Sequence, residues 1–155
     1  MSYKKLAKEL KGMHILWGTQ TIFPKYKNTS GPLVSKKRIN NATKIVILIL
    51  KEEKNKIINA FKLLAKKKYK GENIKIKIDF ESAINCVNNV KLINNDDIYG
   101  ITDGYTIWIS PTKMSYDYLI GTLLHESLHY ICTFNNKSIC EKYEHYVMRI
   151  LGDDC

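Results

Sequence analysis

Apolar residues recur along this chain at several distinct spacings, and those spacings divide it into elements. Between Asp117 and Phe134, residues Leu119, Ile120, Leu123, Leu124, Leu128 and Ile131 return at mostly three- and four-residue intervals. That is the stripe of one helix, and Ser115 stands where an N-cap belongs. Glu52 to Lys68 repeats the pattern, with Ile57, Ile58, Phe61, Leu64 and Ala65 on one face, lysines on the other, and Gly71 beyond the end. Elsewhere the period shortens. Ile74, Ile76 and Ile78 alternate with Lys75, Lys77 and Asp79, which predicts a half-exposed strand. Lys44 to Leu50 is an unbroken, β-branched-rich run suited to a strand buried on both faces. These two strands with the helix between them would form a parallel, right-handed crossover unit.

Asp103-Gly104 marks a tight hairpin turn within Ile98 to Ser110, so Tyr105 to Ser110 reads as a strand stopped by Pro111. Phe134 to Ser138 is a short polar break, and the helix after it, Ser138 to Leu151, should fold back antiparallel as an αα-hairpin. Met1 to Lys11 reads as a short helix and Pro24 to Asn41 as a loop or arm. The expected fold is α+β: a small twisted mixed sheet, a backing helix, the Asp117 helix and an antiparallel C-terminal helix. With 155 residues and 45% hydrophobic content, the chain suits one domain, 1–155, in which 1–43 is the least regular part.

Composition narrows the function. No apolar run approaches the roughly 18 residues that span a bilayer, and the first thirty residues lack a signal-peptide core. A soluble, cytoplasmic protein is expected. Cys86, Cys132, Cys140 and Cys155 show no CxxC spacing, which argues against a zinc finger or dithiol motif and for free thiols. The 25 Lys and Arg against 15 Asp and Glu leave a net charge of +10, with lysines gathered at Lys25 to Arg38 and Lys51 to Lys70. Such a balance favours acidic partners, nucleic acid among them. Aromatic residues do not interleave with these lysines, so a merely solvated helix face competes with that reading.

The chemistry concentrates in His125-Glu126-Ser127-Leu128-His129. Residues four apart on a helix stack above one another, so both imidazoles can address one tetrahedral Zn2+ at roughly 2.0–2.1 Å. Glu126 lies about 100° round the helix, able to act on an attacking water without being a ligand. Such a polar triplet in so apolar a helix would be costly to bury without a partner such as a metal. A third ligand must come from elsewhere. If the break turns near Asn135 and Asn136, the level position is near Glu144, with Glu141 one turn closer to the turn and His145 on the same side as Glu141. Spacing leaves all three open, and a carboxylate that does not bind metal could orient a ligand histidine.

The run Leu123 to His129, followed by Glu144-His145-Tyr146-Val147, resembles the zincin metallopeptidases, in particular the small gluzincin-type domains of phage, viral and ImmA/IrrE-like proteins. That resemblance implies zinc held by His125, His129 and Glu144, with Glu141 as the alternative, and Glu126 as general base. SprT-like proteases, which use a third histidine, are the second comparison and point to His145. The oxyanion would be stabilised by His145, Tyr146 or Tyr130. The strand Tyr105 to Ser110 would be the edge that binds a protein or peptide substrate, through Tyr105, Ile107, Trp108 and Ile109. Nucleic-acid contact through the basic surface would suit a protease acting on DNA-bound protein. The alternative class is a basic nucleic-acid- or partner-binding module on an inactive zincin fold. The basic N-terminal segment, with His14 as an extra ligand, could cover the cleft of a latent enzyme.

Overall fold

The computed structural model describes residues 2–10, 21–25, 31–69, 74–94, 97–135, 137, 138 and 141–154, excluding the side chains of 137, 138 and 141–144. Among them the fold is mixed α+β, with six helices and two three-stranded sheets. At its centre the helix α2, Lys36–Glu52, packs against the helix α5, Tyr116–Leu128. The run Lys44 to Leu50 therefore lies inside a helix and is not a strand. Its residues are apolar on nearly every side because α2 is also covered by α1 (Tyr3–Glu9), α3 (Lys54–Lys68) and α4 (Phe80–Val87). A helix packed from several directions loses the polar face that would betray its period. Ser35 begins it, its hydroxyl accepting from the Arg38 N–H at 3.3 Å. Part of the expected Pro24 to Asn41 loop is thus helical.

The short N-terminal helix forms as expected. Ser2 caps α1, and Tyr3 fastens it to the end of α2 by donating from its N–H to Glu52 and from its hydroxyl to Glu53, each at 2.8 Å. Helix α3 buries Ile57, Phe61 and Leu64 as its periodicity predicts, while Ile58 is only partly covered. Three of its lysines lie against aromatic rings: Lys54 over Phe80, Lys67 over Tyr146 and Lys68 over Tyr69. No helix among the described residues is long and apolar enough to cross a membrane.

The strands pair differently from the expected crossover. In the first sheet β1 (Ile76–Ile78) runs antiparallel to β5 (Cys132–Phe134), which turns antiparallel onto β6 (Lys137–Ser138). The Asp117 helix accordingly stops at Leu128, and its last apolar stretch is a strand. In the second sheet the order is β2 (Val90–Leu92), β4 (Ile107–Ile109), β3 (Gly100–Thr102), with β2 parallel and β3 antiparallel to β4. The Asp103-Gly104 hairpin turn is present, with Gly104 at φ 93°.

Helix α4 is a further element, its Phe80, Ala83, Ile84 and Val87 recurring at helical spacing. Asp79 caps it, its carboxylate accepting from the Ser82 N–H at 3.0 Å and the Ser82 hydroxyl at 2.8 Å. Those bonds hold the Asp79 carboxyl below its ordinary range. Asp79→Ala is expected to cost about 1 kcal/mol in denaturant unfolding at neutral pH. Because the folded-state value is depressed, the contribution is present above the unfolded carboxylate's pKa and fades as pH falls through the folded one. Wild type and variant should therefore converge in acid.

Candidate metal centre

Helix α5 begins at Ser115, whose hydroxyl accepts from the Tyr118 N–H at 3.2 Å. It buries Leu119, Ile120, Leu123, Leu124 and Leu128 completely. That apolar side fixes the rotation of the helix, which leaves Thr122, His125 and Glu126 on the opposite side, mostly but not fully covered. His129 caps the helix in helical conformation and is itself buried.

A third imidazole arrives from α6, Glu141–Ile150, whose rotation is set by the fully buried Val147 and Met148. The ring of His145 lies 5.0 Å from that of His125 and 5.2 Å from that of His129, which are 4.8 Å from each other. One ring nitrogen from each falls within 4.8 Å of the other two. A tetrahedral ion with bonds of about 2.0–2.1 Å places its ligand nitrogens about 3.4 Å apart. Small χ rotations close that difference, so the three imidazoles fit a metal ion.

His125 is oriented from behind. Its Nδ1 meets the Asp153 carboxylate at 2.5 Å, which leaves Nε2 for the cluster. A carboxylate on the far nitrogen of a ligand histidine fixes tautomer and ring plane and raises basicity. Asp153 is buried just past the end of α6. The Glu126 carboxylate lies 3.9 Å from Nε2 of His129, beside the cluster, its side chain 12% exposed.

Glu126 also lines three adjoining hollows that the chain from Ile98 to Tyr105 borders in order. The first, about 270 Å³, is walled by Ile98, Tyr99 and Tyr118 beside His125. The second, about 210 Å³, lies between Gly100 to Thr102 and the three histidines. The third, about 250 Å³, is bordered by Asp103 to Tyr105, Cys86 and Tyr130. Gly100 permits this close approach: a Cβ there would stand 2.8 Å from the Thr122 methyl and 3.5 Å from Cγ of Glu126. Burial, then the neighbouring Tyr99 and Asp153, push the Tyr118 phenol up, so it remains a proton donor. Asp103 is held ionised by the N–H groups of Thr106 and Tyr105. Burial and then the Asp103 charge push the Cys86 thiol up, and it donates to the Gly104 carbonyl at 2.8 Å. Cys86 and Cys132 are both buried thiols.

The expected site residues separate on this geometry. His125, Glu126, His129 and His145 come together. Tyr130 lines two of the hollows, whereas Tyr146 lines none of the three and packs beneath Lys67, its ring centroid 4.2 Å from Nζ. The side chains of Glu141 and Glu144 lie outside the described residues, as do His14, Cys140 and Cys155. The strand expected as the substrate edge is interior to its sheet. Strand β4 is paired on both sides, with Ile107 and Ile109 fully buried and Trp108 on the central strand, so it has no edge to offer. Tyr105, 80% exposed, does border the cleft. The outer strand that borders the cleft is β3, where Ile101 pairs with β4, Tyr99 just before it pairs with Ser110, and the main-chain groups of Gly100 and Thr102 turn outward. Asp153 and Tyr118 were missed. Tyr118 lies one helical turn from Thr122 and two from His125 or Glu126, a face relation that spacing contains.

No protein-family model matches the chain, and neither a curated protein nor a solved structure matches it.

Proposed function

We propose that this chain is a zinc-dependent peptidase of the zincin type, in which His125, His129 and His145 hold the ion and Glu126 is the general base. The observation that carries this reading is the convergence of three imidazoles from two helices with the Glu126 carboxylate 3.9 Å from Nε2 of His129. Three neutral nitrogen ligands with one position left open are the donor set of catalytic zinc. The histidine in third place favours the SprT-like comparison over the gluzincin one.

When bound, the ion supplies Lewis acidity, lowering the pKa of water toward about 7 and polarising the substrate carbonyl. Glu126 takes the proton of the attacking water and passes it to the leaving amine, which its reach into all three hollows permits. Tyr118 and Tyr130, on either side, are the proton donors positioned to stabilise the developing oxyanion. His145, as a ligand, is no longer available for that role. The substrate is an extended polypeptide laid along β3, pairing with Gly100 and Thr102 by strand addition and filling the hollows with successive side chains.

The test is zinc content of protein purified without added metal, together with cleavage of a fluorescently labelled unfolded polypeptide. About one zinc per chain and cleavage that a chelator abolishes and zinc restores are expected. Zinc without cleavage would favour the basic binding module on an inactive scaffold. No zinc, even when supplied, would overturn the metal centre.

A further inference from the structure

The carboxylate behind His125 is delivered by a turn, and that turn is locked by a distant part of the chain. Past α6 the backbone reverses through Gly152 at φ 102°. The Gly152 N–H donates to the Arg149 carbonyl at 3.1 Å and the Asp153 N–H to the Met148 carbonyl at 2.9 Å. This is a Schellman motif with glycine at its left-handed position. It aims Asp153 at His125 while His145, about two turns earlier on the same helix, faces the same cluster. The segment Thr21 to Phe23 seals it. The Ile22 N–H donates to the Leu151 carbonyl at 3.0 Å, satisfying a C-terminal helix carbonyl, and Ile22 and Phe23 are fully buried. Thr21 lies so close that a Cβ on Gly152 would stand 2.3 Å from its own Cβ.

Resting on the metal centre proposed above, we infer that Thr21 to Phe23 is a positioning strap for that centre: by clamping the Leu151 to Asp153 turn it holds the Asp153 carboxylate on His125 and thereby sets metal affinity. Neither the strap nor the turn touches the ion. Their effect passes through one hydrogen bond, the kind of outer contact whose loss costs about 10–100-fold in metal affinity.

The test measures zinc dissociation constants of the full chain by competition with a chromophoric chelator, with thermal melting of the zinc-free protein alongside. Asp153→Asn sets the size of the effect of the carboxylate itself. Gly152→Ala disturbs the turn, Ile22→Pro removes the strap's N–H, and Thr21→Gly combined with Gly152→Ala relieves the steric conflict. Gly152→Ala and Ile22→Pro are expected to weaken zinc binding by about the same 10–100-fold as Asp153→Asn, with the double variant recovering part of the loss. The d–d absorption of the cobalt(II)-loaded variants should shift, a change in ligand geometry that a loss of stability alone would not produce. Wild-type affinity in folded Gly152→Ala or Ile22→Pro, with zinc lost in His125→Ala, would overturn the strap and leave the centre standing. Absence of zinc from wild type would overturn both.

Discussion

Glu126→Gln should keep its full complement of zinc and lose peptide hydrolysis by roughly 10²–10⁴-fold, the contribution typical of a positioned general base. Amide for carboxylate preserves the shape of a side chain that borders three hollows and is almost enclosed, 12% exposed. Folding and ligand geometry should therefore survive. What disappears is the capacity to accept a proton beside the ion. Metal analysis and a cleavage assay on the same preparation check both halves. If the variant lost zinc, Glu126 would be a ligand. Undiminished cleavage would remove it from the chemistry.

His145→Ala should release the metal, weakening zinc binding by more than the roughly 10–100-fold attached to an outer contact such as Asp153. Glu144→Ala and Glu141→Ala should leave zinc in place. The prediction rests on position: His145 shares the two short inter-ring distances with His125 and His129. Equilibrium dialysis of the three variants against buffered zinc decides the ligand set. Retention in His145→Ala with loss in Glu144→Ala would restore the gluzincin arrangement.

The motif itself was legible because its geometry is local. Four-residue spacing inside one helix places His125 and His129 together whatever the rest of the chain does. Local signals also located Ser115, the hairpin at Asp103-Gly104 and the lysine-flanked helix before Gly71. What failed depended on distant partners. Ile45 to Leu50 are apolar in strand and helix alike, and only burial by several neighbours makes a continuous run compatible with α2. Extending the Asp117 helix to Phe134 treated Cys132 to Phe134 as rising about 1.5 Å each, when the strand these three residues form rises about 3.3 Å each. The position of the returning helix depends on that rise, and with it the choice among Glu144, Glu141 and His145. Asp153 carried no sequence signal, since its role exists only where the turn after α6 meets α5.

The three imidazoles come from two helices joined by a β-hairpin, so an ion held between them would be a removable cross-link. An ion bound at one thousand times its dissociation constant adds about 4 kcal/mol to folding stability. For a domain of this size that is a large share of the total. The supply of that ion would then govern the lifetime of the protein. Chains without such an ion would open between α5 and α6 and become substrates for proteolysis.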